Sequence, residues 1–267
     1  MGLTGIRVRN YRVLADVALE TGGVNVLFGP NGSGKSTLLD AVRFVHDCAV
    51  QGVDGASSYR NYGVGALWDG ANGEAALTIT LETGAFVYRV ALGYSAGRIV
   101  PFAGERLLVR GQTTPLVERL VGSKEAEFCR ADGEVVTVSL REPERLAVSR
   151  YLEFDEGRHA VAAELDALLR SVSFFYLRQV NLTRLKRFGS ESSHHVRLWD
   201  DGRNLWSVLR NLHDRRAVDE RYDAIMGFMR RGFPGFRDLL IEQTGPSAVY
   251  GSIIEEHHRR PIMASDV

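Results

Sequence analysis

Apolar and polar positions alternate from the start of the chain. Ile6 and Val8 share one face, with Arg7 and Arg9 on the other, which is the period of a half-exposed strand over 3–9. Beyond Asn10-Tyr11-Arg12 a second strand is expected near 13–20, ending at Thr21-Gly22-Gly23. Val24-Asn25-Val26-Leu27-Phe28 is instead a nearly continuous apolar run. Such runs fit strands buried on both faces of a sheet. The period then changes. Leu38, Leu39, Val42 and Val45 fall on one stripe, predicting a helix over 37–46.

Glycine- and tyrosine-rich sequence over 52–73 reads as loop, and alternation resumes after it. Residues 75–82 and 85–92 predict a hairpin turned at Thr83-Gly84. Further strands are expected over 106–109, 126–130 and 135–140, with Asp132-Gly133 as a hairpin turn. Residues 143–151 and 156–170 read as helices, the second with Ala162, Leu165, Leu168 and Leu169 as its apolar face. Residues 171–177 read as an aromatic strand, with Phe174, Phe175 and Tyr176 expected in the core. No repeat period is visible, which excludes a solenoid. The expected organisation is 1–50, a β-rich inserted lobe over 51–150, and a helical and strand remainder over 151–267.

The candidate chemistry sits between the apolar run and the first helix. Gly29-Pro30-Asn31-Gly32-Ser33-Gly34-Lys35-Ser36-Thr37 matches the P-loop pattern G-x-x-x-x-G-K-[ST]. With 28 glycines and 3 lysines in 267 residues, about 0.004 chance matches are expected. The strand before and helix after complete the required context. Gly32 and Gly34 lack Cβ and let the backbone wrap closely. Amides of Asn31, Gly32, Ser33, Gly34, Lys35, Ser36 and Thr37 would then face one concavity suited to phosphate, with the helix dipole behind them. Lys35 is expected on the β and γ phosphates of ATP and the Ser36 hydroxyl on Mg²⁺. Thr37 is placed to reach the α phosphate.

Composition narrows the remaining choices. Basic and acidic residues balance at 33 each, so the chain is not a polycation for nucleic acid. Only Arg178, Arg184, Lys186 and Arg187, beside Phe188, make a basic window, read either as phosphate contacts or as a solvated helix face. Arginines from 203 to 237 alternate with acids and are expected in salt bridges. Cys48 and Cys129 lie far apart, against a disulfide scaffold or a structural zinc site, and are expected as buried thiols. The paired histidines 194–195 and 257–258 lack the spacing of metal ligands. The longest stretch free of Asp, Glu, Lys and Arg, 21–34, is shorter than the roughly 20 residues of a membrane span. With no secretory signal readable, a cytoplasmic address is expected.

No N-K-x-D or D-x-x-G pattern is present, against a GTPase. The wording Gly29-Pro30-Asn31-Gly32-Ser33-Gly34-Lys35-Ser36-Thr37 resembles the ABC-type ATPases, and Ile6-Arg7-Val8-Arg9-Asn10-Tyr11-Arg12-Val13-Leu14 resembles the opening strand of their RecF/SMC/OLD-like branch. Asp201-Gly202-Arg203-Asn204-Leu205 resembles a segment that opens a helix in the second half of such a head. The resemblance implies an α/β P-loop NTPase head with a β-rich lobe, binding ATP with Mg²⁺. It also implies a second ATPase head as partner, DNA as a possible one, and no membrane. It places Gln179, after Tyr176-Leu177-Arg178, in the Q-loop beside Mg²⁺ and the attacking water; from the residues alone Gln179 is a solvent-facing amide.

Two parts of that pattern, a serine-glycine signature and four aliphatics ending in Asp-Glu, are not readable. Residues 152–156, 239–242 and 249–256 only approximate the second. A head truncated before both is therefore expected, able to bind ATP without efficient hydrolysis. The alternatives are a nucleotide-gated binding module and a small-molecule P-loop kinase.

Overall fold

The computed structural model describes residues 2–72, 75–154, 159–175, 181–244 and 247–263. They form two compact units, Met1–Val172 and Ser173–Val267.

The first unit is a mixed α/β structure built on an antiparallel sheet. Its first elements are β1 (Gly5–Tyr11), β2 (Leu14–Glu20) and α1 (Lys35–Ser58), followed by β3 (Leu77–Glu82) and β4 (Phe86–Leu92). Then come β5 (Tyr94–Ser95), β6 (Arg98–Ile99), β7 (Gly104–Val109), β8 (Val117–Arg119), β9 (Glu125–Cys129) and β10 (Val135–Ser139). Two helices follow, α2 (Ala147–Phe154) and α3 (Ala160–Ser171). Eight strands make one sheet in the order β10-β9-β8-β7-β4-β3-β1-β2, and β5 and β6 pair separately. Register follows the alternation: Val8 opposes Val17 on one side and Ile79 on the other. Phe44, Leu77, Ile79, Tyr88, Phe128 and Tyr151 are buried in one core. Gly133 (φ 88°) makes the Asp-Gly turn as expected.

Helix α1 outruns its predicted end because Gly52 carries it through a kink at φ 79°, ψ 166°. The kink frees the Val53 N–H, which donates to Glu144 O at 2.8 Å. A fully buried charge holds α2. Glu105 accepts from Tyr88 Oη (2.9 Å) and from the Ala147 and Val148 amides (2.5 and 3.2 Å). Arg119 lies 3.7 Å away with its side chain equally buried. The helix start is thus capped by a carboxylate, where the dipole favours one.

The second unit contains α4 (Leu182–Phe188), β11 (Ser190–Glu191), α5 (Leu205–Asp214), α6 (Arg221–Gly232), β12 (Phe236–Thr244), β13 (Ala248–Glu255) and β14 (Ile262–Met263). β13 is paired by β12, β11 and β14. Val208, Leu212, Tyr222, Met226 and Phe236 form one core cluster, and Leu185, Trp206, Leu209 and Val249 another. A Cβ on Gly251 would lie 2.1 Å from the Trp206 ring, so only glycine lets that indole lie on the sheet. Asn204 opens α5, as the resemblance of 201–205 implies. Buried, it accepts from the Trp199 amide (2.9 Å) and donates to Arg197 O (3.0 Å).

Several expectations change. Val24–Phe28 is not a strand, and Val24, Val26 and Phe28 are 88%, 78% and 91% exposed. A strand needs hydrogen-bonded neighbours, and the sheet ends at β2 instead of continuing to this segment. Ser171 closes α3, Val172–Phe175 form no strand, and Phe175 is 51% exposed rather than core. Tyr176 lies outside the described residues. Leu152–Phe154 belong to α2, while Asp155 and Glu156 lie outside the described residues. Cys48 is buried and Cys129 only partly so. Residues 98–99 and 117–119 are strands too short to show alternation. Among the described residues no helix is long and apolar enough to cross a membrane.

Candidate functional site

The loop from Gly29 to Lys35 connects the extended apolar stretch to α1. Its turns use glycine where L-residues are strained: Gly29 at φ 146°, Gly32 at φ 82° and Gly34 at φ 90°. Gly34 is buried against the β1–β2 turn. A Cβ there would lie 2.6 Å from Leu14 Cδ2 and 3.3 Å from Val13 Cγ2. Gly32 has nothing within 4 Å, so its requirement is conformational only. The hairpin thus fixes where the helix begins.

At that beginning the backbone donors stay open. Leu38 N–H closes the first helical turn on Gly34 O at 2.8 Å, and no side chain caps the helix. The amides of Lys35, Ser36 and Thr37 have no acceptor among the described residues, nor do those of Gly32 and Gly34. Ser33 N–H makes only a long contact to Pro30 O, 3.4 Å. Orphan donors at a helix N-terminus form an anion site. Lys35 Nζ donates to Gly29 O (2.9 Å), Pro30 O (2.7 Å) and Ser33 Oγ (3.2 Å). All three are neutral oxygens, so its charge is without a carboxylate partner among the described residues. Ser36 is exposed, and Asn31, Gly32 and Ser33 lie on the surface. Beside the loop, Leu14, Val17, Val26, Phe28, Lys35 and Leu38 border a groove of about 290 Å³.

One turn into α1, Asp40 ties the helix to the β1–β2 turn. It accepts from Tyr11 Oη (2.5 Å) and Arg60 Nη2 (3.0 Å), and pairs with Arg12 at 3.2 Å. Arg60, 5% exposed, also reaches Asp47 at 2.9 Å and stacks on Phe44 at 4.4 Å. Burial first, and the bond to Asp40 second, push the Tyr11 phenol well above its ordinary range. Burial works against the Arg60 charge, yet Asp40 and Asp47 outweigh it and its pKa is raised. Asn10 and Arg12 hold positive φ (56° and 49°) on either side of Tyr11. Local strain of this kind persists only where surrounding contacts over-determine it. Sequence alone did not reveal this cluster, since its members lie up to 49 positions apart along the chain.

Of the residues expected to bind phosphate, 31–37, Ser33, Gly34 and Lys35 line the groove beside the loop, and Ser36 and Thr37 follow in the first turn of α1. Gln179 and Arg178 lie outside the described residues. Glu242 lies within β12, while Glu255 ends β13 and Glu256 follows it in a turn.

Comparison with known proteins fits this geometry. Residues 24–89 match a family model described as an AAA domain of the AbiEii-toxin kind, from a type IV toxin–antitoxin system. The match begins at the apolar run, takes in the loop and α1, and ends within β4. It supports a P-loop ATPase domain of the AAA type over less than half of the chain, without singling out the RecF/SMC/OLD-like branch. No curated protein matches the chain.

Proposed function

We propose that this chain is the ATP-binding part of a P-loop ATPase, with the triphosphate held on residues 31–37. The observation that carries the reading is the row of amides from Gly34 to Thr37, unpaired among the described residues, beside a lysine with no carboxylate partner among them. A polyanion satisfies both at once, and few other ligands do. Asn31 to Gly34 would wrap the phosphates, and Lys35 would exchange three neutral oxygens for phosphate oxygens. The Ser36 hydroxyl would hold Mg²⁺, which neutralises charge developing on the phosphates.

Turnover needs more than this grip. A loop that holds ground state and transition state alike does not raise the rate. Asp40, the nearest acid along α1, is engaged by Tyr11, Arg12 and Arg60. Our reading is that the chain binds ATP well and hydrolyses it poorly unless a second ATPase head completes the site. Gln179 is the residue proposed beside the attacking water. The RecF/SMC/OLD-like wording around 6–14 and 29–37 supports paired heads and work on DNA. The matched family's toxin–antitoxin description favours defence over repair.

The test is titration of a fluorescent ATP analogue with Mg²⁺, followed by phosphate release. Lys35→Ala removes one charge-assisted contact and should weaken binding about 10- to 150-fold. Equal binding by both proteins refutes the site. Turnover near 1 s⁻¹, at the low end of ordinary enzymes, would show that a catalytic carboxylate is present after all, with Glu255 and Glu256 the first to replace. Phosphoryl transfer to an added small acceptor would favour a kinase, and tight binding with no turnover in any assembly a nucleotide-gated module.

A further inference from the structure

The second unit carries a groove that the nucleotide site does not use. Helix α4 has no acidic residue, and Leu185 is buried beneath it. Arg184, Arg187 and Phe188 are exposed at positions i, i+3 and i+4, which share one face. Phe188 is 63% exposed, a benzyl ring left in water among cations. Gly189 (φ 66°) ends the helix, and a Cβ there would lie 2.4 Å from Val249 O. The ring's support is therefore rigid.

Trp199 and Arg203 join Arg184 and Phe188 in lining a groove of about 180 Å³, and Arg187 flanks it beside the Phe188 ring. The Arg203 guanidinium lies 4.6 Å from the Trp199 ring centre, and that of Arg187 lies 5.9 Å from the Phe188 ring centre. Glu191 is the one acid lining the groove, 3.5 Å from Arg184 and itself 70% exposed. Asp201 approaches Arg203 at 3.5 Å. Exposed pairs at such distances contribute little and yield to a better anion.

We propose that this groove binds a single-stranded polynucleotide. Arg184, Arg187 and Arg203 would contact phosphates, while Phe188 and Trp199 would stack on bases. Stacking decides the ligand class. A duplex hides its base faces, so the exposed Phe188 ring, with the half-buried Trp199 ring in the same groove, serves only a strand whose bases are free. An acidic peptide would use the arginines and leave the rings idle. This deepens the nucleic-acid part of the reading above and is independent of the ATP part.

The experiment is fluorescence anisotropy of the full chain without nucleotide, using labelled oligothymidylate and oligouridylate of about 20 residues and a duplex of mixed sequence. Either single strand should bind more tightly than the duplex, and the preferred one identifies DNA or RNA as the source. Phe188→Ala should weaken strand binding about 5- to 150-fold and leave the duplex unmoved. Phe188→Tyr should restore it. Arg184→Ala with Arg187→Ala should lower the salt slope by about 1.4, near 0.7 per lost phosphate contact. Lys35→Ala should bind the strand normally, which separates this result from failure of the ATP reading. The proposal is overturned by no strand binding at low salt, by equal affinity for strand and duplex, by an unchanged Phe188→Ala variant, or by equal competition from polyglutamate.

Discussion

Replacing Asp40 by alanine tests whether the β1–β2 turn holds the P-loop helix in place. The carboxylate has three partners of unequal worth. Tyr11 is fully buried, and Asp40 is the acceptor of its hydroxyl. Leaving that hydroxyl unsatisfied costs about 1–3 kcal/mol. Arg60 keeps Asp47 at 2.9 Å and Ala56 O at 3.0 Å, so no orphan charge arises. The roughly 3–5 kcal/mol of a fully broken buried pair is therefore not lost. Arg12 is 40% exposed in this pair and contributes about 0–1 kcal/mol. The expected total is about 1–4 kcal/mol. Tyr11→Phe removes the hydroxyl itself and should cost about 1 kcal/mol. In that background Asp40→Ala should cost about 1–2 kcal/mol less than in the wild type. Native-state hydrogen exchange of peptides from α1, followed across urea concentrations, reads the opening free energy of this helix directly. Asp40→Asn, which keeps an acceptor for Tyr11, should fall between wild type and alanine. If Asp40→Ala costs the same in both backgrounds within about 0.3 kcal/mol, Tyr11 and Asp40 are not coupled and the anchoring argument fails.

Other substitutions separate conformational from packing demands. Gly32→Ala should cost about 1–2 kcal/mol through its positive φ alone, whereas Gly34→Ala must also displace buried Leu14 and should lower the thermal midpoint further and abolish binding of the ATP analogue. Glu105→Ala should destabilise by about 3–5 kcal/mol, because it leaves Arg119 buried without its partner and α2 uncapped; chemical denaturation measures the loss. Burial raises the Glu105 pKa above its ordinary 4.5, so the folded state keeps this proton to higher pH than the unfolded state. Its contribution is thus fully present below pH 4.5 and declines as pH rises through the folded value. The stability difference between wild type and Glu105→Gln should therefore shift against wild type as pH climbs above 4.5, and a difference independent of pH would contradict the assignment.

Local pattern determined much of this molecule. The P-loop was legible because its chemistry is local: three glycines, one lysine and the Ser36 and Thr37 hydroxyls within nine positions, followed by a helical stripe. The hairpins at Thr83-Gly84 and Asp132-Gly133 were legible for the same reason, since turn residues and alternation lie within a few residues of each other. Asn204 opens α5 through bonds to its near neighbours, and that start was expected only through the resemblance of 201–205 to such a head. What tertiary structure decided was partnership. The Val24–Phe28 run has the composition of a buried strand, yet burial depends on a neighbouring strand, which composition cannot supply. The site around Asp40 draws Tyr11 and Arg12 from one segment and Arg60 from another, and only folding brings them within about 3 Å of one carboxylate. Glu105 carried no signal in the sequence and lay just before the strand expected over 106–109. Its role as a buried cap exists because α2, distant in sequence, begins on it. Likewise, Arg184 and Phe188 could be read as a basic window, but Trp199 and Arg203 became the facing wall only when Gly189 turned the chain and Asn204 closed the loop beside it. Turns and helix starts are set by short-range sterics and bonds, while burial and charge pairing are set by whatever the fold places opposite.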